Sequence, residues 1–114
     1  MITINSLAAF GADVKNGLSR CMNNENFCLK LVNMELNDPN FAKLRQALDC
    51  GDEKTAFEAA HALKGSLGNL SLTPIYEPVN ELTELVRTAV GIPDEARELA
   101  QRAFNKFEEL KALA

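Results

Sequence analysis

The sequence lacks a surplus of basic residues and any long apolar run. Its 114 residues include 16 acidic and 12 basic side chains, which give a net charge of -4. A nucleic-acid-binding domain usually carries a basic face, so that class of protein is not favoured. No apolar run approaches the roughly 20 residues of a membrane span, and the first residues lack a basic stretch followed by an apolar core. We therefore expect a soluble, cytoplasmic protein with neither a nucleic acid nor a membrane as its partner.

Cysteine, glycine and proline are also scarce. The three cysteines, Cys21, Cys28 and Cys50, cannot all pair and lack C-x-x-C spacing, which disfavours a redox or metal protein and favours a reducing compartment. Six glycines and four prolines are too few for a low-complexity segment. Apolar residues make up 46% and charged residues 25% of the chain, as in ordinary globular proteins. The length suits a single domain over residues 1–114.

Strand signals are absent, and helical periodicity runs through almost the whole chain. No long alternation of β-branched residues occurs, and the single Asn-Gly pair, Asn16-Gly17, lies inside a stretch with helical periodicity rather than between two strand-like runs. The periodic stretches are separated by helix starts at Pro39 and Pro93 and by a helix end at Gly51. The sequence predicts helices over about residues 13–21, 24–36, 39–50, 52–69, 73–90 and 93–113. Short connections between the last four favour an all-α fold, an antiparallel up-and-down four-helix bundle with one or two additional short N-terminal helices.

Apolar stripes at helical spacing predict which helix faces are buried. In the helix over 24–36 the stripe consists of Phe27, Leu31, Met34 and Leu36. In the helix over 52–69 it consists of Ala56, Ala60, Leu63, Leu67 and Leu70. At about 100° per residue, His61 projects roughly 140° away from the centre of this second stripe. The only histidine of the chain is therefore expected on the solvent side of its helix.

Two glycines and a lysine follow His61 on the same predicted outer face. Gly65 and Gly68 lie four and seven residues beyond it, and each glycine inside a helix costs roughly 0.5–1 kcal/mol relative to alanine. They would give a partner access to the imidazole, although close packing against another helix is the commoner reason for such a pair. Lys64 places a cation beside the ring. Each feature alone is unremarkable, and the combination points to a functional histidine.

The segment His61–Gly65, read HALKG, resembles the H-x-L-K-G core of histidine-containing phosphotransfer (HPt) domains. Further matching positions are Gly51-Asp52, Ala59-Ala60, Gly68-Asn69-Leu70, Asp13-Val14, Gly17-Leu18 and Phe27-Leu31. The resemblance implies a four-helix bundle whose exposed histidine carries a phosphoryl group between aspartates of receiver domains. The partners that it implies are a response-regulator receiver domain and a sensor histidine kinase of the hybrid type. We expect the chain to act as a monomer.

Two positions depart from the pattern of this family. Ser71 stands where members commonly have glycine, and its small side chain is expected to preserve the packing there. Thr83 stands, by spacing, where many members have a Gln or Glu that orients the imidazole, and its hydroxyl could hydrogen-bond the ring. Phe57, four residues before His61, is either a docking contact or a core residue at the edge of the buried stripe.

Histidine suits a relay because its imidazole is largely neutral and nucleophilic near neutral pH. One ring nitrogen attacks an aspartyl phosphate while the other holds a proton, and Lys64 offsets part of the charge of the phosphoryl group. The sequence has no acidic metal cluster near His61, no P-loop and no G-x-G-x-x-G loop, so the divalent ion must come from the partner. We expect a phosphocarrier that binds no cofactor or metal and has no independent catalytic activity.

Other functions are consistent with the fold. A phosphorylation-independent docking module for a receiver or kinase domain could use the same helices, although such a module needs no imidazole. A redox or metal protein lacks the ligand spacing. A complete histidine kinase is excluded by the length, because no nucleotide-binding domain fits.

Overall fold

A computed structural model describes residues 1–88 and 90–114 of the chain. The described residues form seven α-helices and no strand, which confirms the all-α expectation. The helices are α1 (Ile4–Phe10), α2 (Val14–Arg20), α3 (Glu25–Glu35), α4 (Asn40–Cys50), α5 (Glu53–Asn69), α6 (Thr73–Arg87) and α7 (Asp94–Lys111). The helix predicted over 73–90 ends at Arg87, and its position 89 lies outside the described residues.

The last four helices, α4 to α7, form the predicted bundle. Helix α5 packs between α4 and α6, and α6 packs on α7. Helix α7 returns to α4, where the rings of Phe41 and Phe107 stack with their centroids 3.7 Å apart. Nearby, the guanidinium of Arg45 lies 4.3 Å from the centroid of the Phe104 ring. These contacts between the first and the last long helix close the bundle.

Helix α5 faces the core with the stripe that the sequence predicts. Ala56, Ala60, Leu63 and Leu67 are completely buried. Asp52 caps the start of the helix: its carboxylate accepts the backbone N–H of Thr55 at 3.1 Å. The alternation of small and large apolar side chains lets α4 and α6 approach α5 from both sides, so the opposite face of α5 is left to solvent.

Three helices precede the bundle, where one or two were expected. The additional one is α1, which begins with a reciprocal capping box. Thr3 Oγ1 accepts the backbone N–H of Ser6 at 3.0 Å, and Ser6 Oγ accepts the backbone N–H of Thr3 at 2.9 Å. Helix α1 is only seven residues long, so its apolar periodicity is too short to be distinguished from a loop in the sequence.

Helix α2 is fixed to the turn between α5 and α6. The side-chain amide of Asn16 donates to Ser71 Oγ at 2.8 Å, and the backbone N–H of Asp13 donates to the Ser71 carbonyl at 3.0 Å. A Cβ on Gly17 would lie only 2.9 Å from the Leu70 carbonyl oxygen, so the glycine allows the close approach. Ser71 has φ +54, in the left-handed region that favours glycine, which explains why a glycine suits this position.

The buried face of α3 agrees only in part with the predicted stripe. Phe27 is 39% exposed and Met34 60% exposed, whereas Leu31 and Leu36 are partly buried and pack against the core. The buried side chains of α3 are those of Cys28, Val32 and Glu35. Apolar periodicity misses this face because it contains the carboxyl group of Glu35, which is buried where a side chain of α5 donates a hydrogen bond to it.

Candidate functional site

His61 lies in the middle of α5 with its side chain exposed to solvent. Its neighbours Ala60 and Leu63 are completely buried, so the imidazole projects from the opposite side of the helix. The predicted exposure of the histidine is confirmed. Rigid helix packing beneath the ring fixes the backbone from which it projects.

An aromatic ring and a guanidinium lie beside the imidazole. The Phe57 ring stacks on that of His61, with centroids 5.6 Å apart and an interplanar angle of 17°. The guanidinium of Arg87 on α6 lies 5.0 Å from the centroid of the Phe57 ring. Phe57 is half-buried, so it lies at the edge of the bundle and also contacts the histidine. Stacking from one side restricts the orientations of the imidazole.

Lys64 is held by a carboxylate of the neighbouring helix. Its Nζ lies 3.5 Å from Glu84 Oε1, and the same carboxylate binds Arg87 at 3.1 Å. The hydrogen bond from Arg87 lowers the pKa of Glu84 most, and the charges of Arg87 and then of Lys64 lower it further. All three side chains are at least partly exposed, so solvent screens both ion pairs and weakens them. Lys64 is thus loosely tethered near His61, and Arg87 is a cation of the site that sequence reasoning missed.

The two glycines of α5 differ in their surroundings. A Cβ built on Gly65 meets nothing within 4 Å, so this position is open to solvent beside His61. A Cβ on Gly68 would lie 3.1 Å from Cε1 of Tyr76 on α6. Gly68 therefore makes room for an aromatic ring of its own bundle, and it also lines the groove beside His61; access for a partner at Gly68 stays a prediction.

Thr83 does not reach the imidazole. It is completely buried, and its Oγ1 donates to the carbonyl of Val79 at 2.7 Å, one turn earlier in α6. The hydroxyl proton of Thr83 is therefore engaged in a hydrogen bond within α6. Within residues 1–88 and 90–114, no hydrogen bond joins Thr83 to His61, so the assignment of Thr83 as the residue that orients the ring has no contact to support it.

A groove of about 500 Å³ runs along the exposed side of α5. His61 and Lys64 line it from α5, and Arg20 lines it from the last turn of α2. Two carboxylates, those of Asp13 and Glu77, also face the groove. Sequence reasoning did not place α2 next to the histidine, because the contact joins segments about 40 residues apart.

A buried carboxyl group supports α5 on the other side. Glu35 on α3 is 6% exposed and accepts a hydrogen bond of 2.9 Å from Ser66 Oγ. Burial raises the pKa of Glu35 to about 7; the nearby Asp38 adds to the increase and the Ser66 hydroxyl opposes it. Because Ser66 adjoins Gly65, this contact fixes the segment of α5 that follows His61.

The geometry defines a class of protein: a closed helical bundle that presents one histidine, with nearby cations, on an open helix face. The family model described as Hpt domain matches residues 34–114. The match covers α4 to α7 and leaves α1, α2 and most of α3 outside. The chain therefore belongs to the Hpt domain family.

Members of this family are phosphocarrier modules for histidine phosphotransfer in two-component systems, where they interact with receiver domains and histidine kinases. Comparison with curated proteins and with solved structures found no match. Across residues 1–88 and 90–114, no helix combines the length and the apolarity that crossing a membrane requires.

Proposed function

We propose that His61 accepts a phosphoryl group from an aspartate of one receiver domain and passes it to an aspartate of another. The observation that carries this proposal is the exposed imidazole on α5, next to a position, Gly65, that is free of neighbours within 4 Å of a built Cβ. The open space at Gly65 leaves this side of the ring accessible to a concave partner site.

The chemistry follows from the imidazole. A neutral ring nitrogen attacks the phosphorus of an aspartyl phosphate in line; the N–P bond forms as the P–O bond to the carboxylate breaks. The carboxylate leaves with the electron pair, and the second ring nitrogen keeps its proton. The reverse sequence delivers the phosphoryl group to the next aspartate. Such a transfer depends mainly on positioning and on neutralisation of charge, so the chain serves as carrier while the partner supplies the divalent ion.

Each neighbouring residue has a role in this proposal. Phe57 restricts the imidazole by stacking on it. Lys64, tethered 3.5 Å from Glu84, has a flexible stem that allows it to turn from the carboxylate to a phosphoryl group on His61. Residues 1–114 act as one domain, since α2 is fixed to the turn between α5 and α6 by Asn16 and Gly17.

The test is transfer from a panel of phosphorylated receiver domains to the purified chain. Label on the chain should be acid-labile and alkali-stable, as expected for a phosphorus–nitrogen bond. His61→Gln is a complete control, because His61 is the only histidine, and this variant should take no label. Equal labelling of the variant would refute the proposal. Receivers that bind the chain with no transfer at all would instead indicate the phosphorylation-independent docking module.

A further inference from the structure

We infer that Arg20, on α2, binds the phosphoryl group carried by His61. The inference rests on the proposed function and deepens it, by assigning a phosphoryl-binding residue to a helix that lies outside the matched residues 34–114. Arg20 and His61 line the same groove of about 500 Å³. A guanidinium is suited to this role because its planar donors match the oxygens of a phosphoryl group.

The position of Arg20 is set by the way α2 is anchored. Asn16 donates to Ser71 Oγ at 2.8 Å, and the absent side chain of Gly17 lets α2 approach the Leu70 carbonyl. Arg20 is one turn further along the same short helix. Its Cα is therefore held at the wall of the groove, and its long side chain is exposed there.

The charges of the groove favour Arg20 as a second cation for the phosphoryl group, beside Lys64. Lys64 is shared with Glu84 at 3.5 Å, whereas Arg20 forms no ion pair within the described part of the chain. Asp13 also lines the groove, but its carboxylate caps α2 by accepting the backbone N–H of Asn16 at 3.1 Å. A phosphoryl group on His61 adds a charge of about -1.5 to -2 near pH 7, and the unpaired guanidinium can neutralise part of it.

The experiment begins with chemical phosphorylation of the whole chain by phosphoramidate, so that no partner is required. The phosphorus–nitrogen bond of the reagent breaks, ammonia leaves, and a new N–P bond forms to His61. The ³¹P NMR shift of this group is then followed against pH for the wild type, Arg20→Gln and Arg20→Lys. Lys15→Gln is the matched control, because Lys15 is an exposed cation on the same helix that does not line the groove.

A bound cation favours the dianion, so the titration midpoint should rise by about 0.3–0.7 pH unit in Arg20→Gln. The midpoint of Arg20→Lys should lie between the midpoints of Arg20→Gln and the wild type. The midpoint of Lys15→Gln should equal that of the wild type. The difference should shrink in 1 M salt, which screens exposed charges. Transfer from a receiver to Arg20→Gln should also be about three- to tenfold slower, with an unchanged melting temperature.

Identical midpoints for Arg20→Gln and the wild type would overturn the inference, even if receivers still phosphorylate His61. Conversely, if the titration midpoint of Arg20→Gln shifts while no receiver labels the wild-type chain, the result would support the role of Arg20 and contradict the proposed relay function. A wild-type chain that takes label neither from phosphoramidate nor from receivers would contradict both. An equal shift in Lys15→Gln would show a general effect of charge and would also overturn the inference.

Discussion

Replacement of Gly65 by alanine should stabilise the domain, because the structure leaves open space where the new methyl group would stand. A Cβ at this position meets nothing within 4 Å, and the residue lies inside α5. Alanine removes the intrinsic cost of glycine in a helix, so the free energy of unfolding should rise by up to roughly 1 kcal/mol. For a domain of this size that corresponds to an increase of about 4 °C in the melting temperature.

Gly68 provides a matched control three residues further along the same helix. Its Cβ would lie 3.1 Å from Cε1 of Tyr76, which is tighter than ordinary van der Waals contact. The Tyr76 ring must then shift by a few tenths of an ångström, and the strain offsets the helix-propensity gain. We expect Gly68→Ala to melt at or below the wild-type temperature, so the two alanine variants should differ by about 1 kcal/mol or more.

The assay combines thermal unfolding, followed by circular dichroism, with transfer from a phosphorylated receiver to His61. Gly65→Gln should fold like the wild type, but its side chain stands where the partner must approach, and transfer should fall strongly. Gly65→Ala should retain much of the transfer. The reasoning is refuted if Gly65→Ala is destabilised, or if the alanine variants at 65 and 68 have the same stability.

Three further predictions concern charge, pH and thiol reactivity. Lys64→Ala should leave the melting temperature unchanged and slow transfer a few-fold, since exposed ion pairs contribute only about 0–1 kcal/mol; a loss of helicity would make Lys64 structural. Burial raises the pKa of Glu35 from 4.5 to about 7, so the folded state binds a proton that the unfolded chain releases. The contribution of Glu35 to stability should therefore fall as pH rises from about 4.5 to 7. Urea unfolding at pH 5 and pH 8 measures this, and an undiminished pH dependence in Glu35→Gln would contradict it. Cys50 is exposed, whereas Cys21 and Cys28 are buried, and burial is the main reason why the pKa of Cys28 is raised to about 11. Mass spectrometry after alkylation of the native chain should therefore find Cys50 modified first. Equal labelling of all three cysteines would contradict this prediction.

The face that α5 buries could be predicted from the sequence because its pattern is strong and local. Apolar residues recur at intervals of four and three, and none of the four completely buried positions from Ala56 to Leu67 is polar. The angular offset of His61 from this stripe follows from helix geometry alone. The same geometry predicts that Gly65 shares the exposed face. These conclusions require no knowledge of what packs against the helix.

Other features depend on contacts between distant segments, and the sequence does not reveal them. Glu35 lies in the buried face of α3 because Ser66, 31 residues away, donates a hydrogen bond to it. Hydrophobic periodicity instead selects Phe27 and Met34, which are exposed. Likewise, helical spacing places Gly68 on the outer side of α5, but only the structure shows the Tyr76 ring against it. Periodicity predicts the direction of a side chain and not its neighbour.

The same distinction explains the arrangement of charge around His61. Glu84 binds Lys64 and Arg87, so one carboxylate of α6 holds two cations near the imidazole in the unphosphorylated chain. Their mutual repulsion is thereby reduced, and the weakness of exposed pairs means that little free energy is needed to separate them. A phosphoryl group carries about twice the charge of a carboxylate and can compete for Lys64. A loosely held cation therefore suits the proposed role of carrier, in which a phosphoryl group is stabilised on His61 and released again.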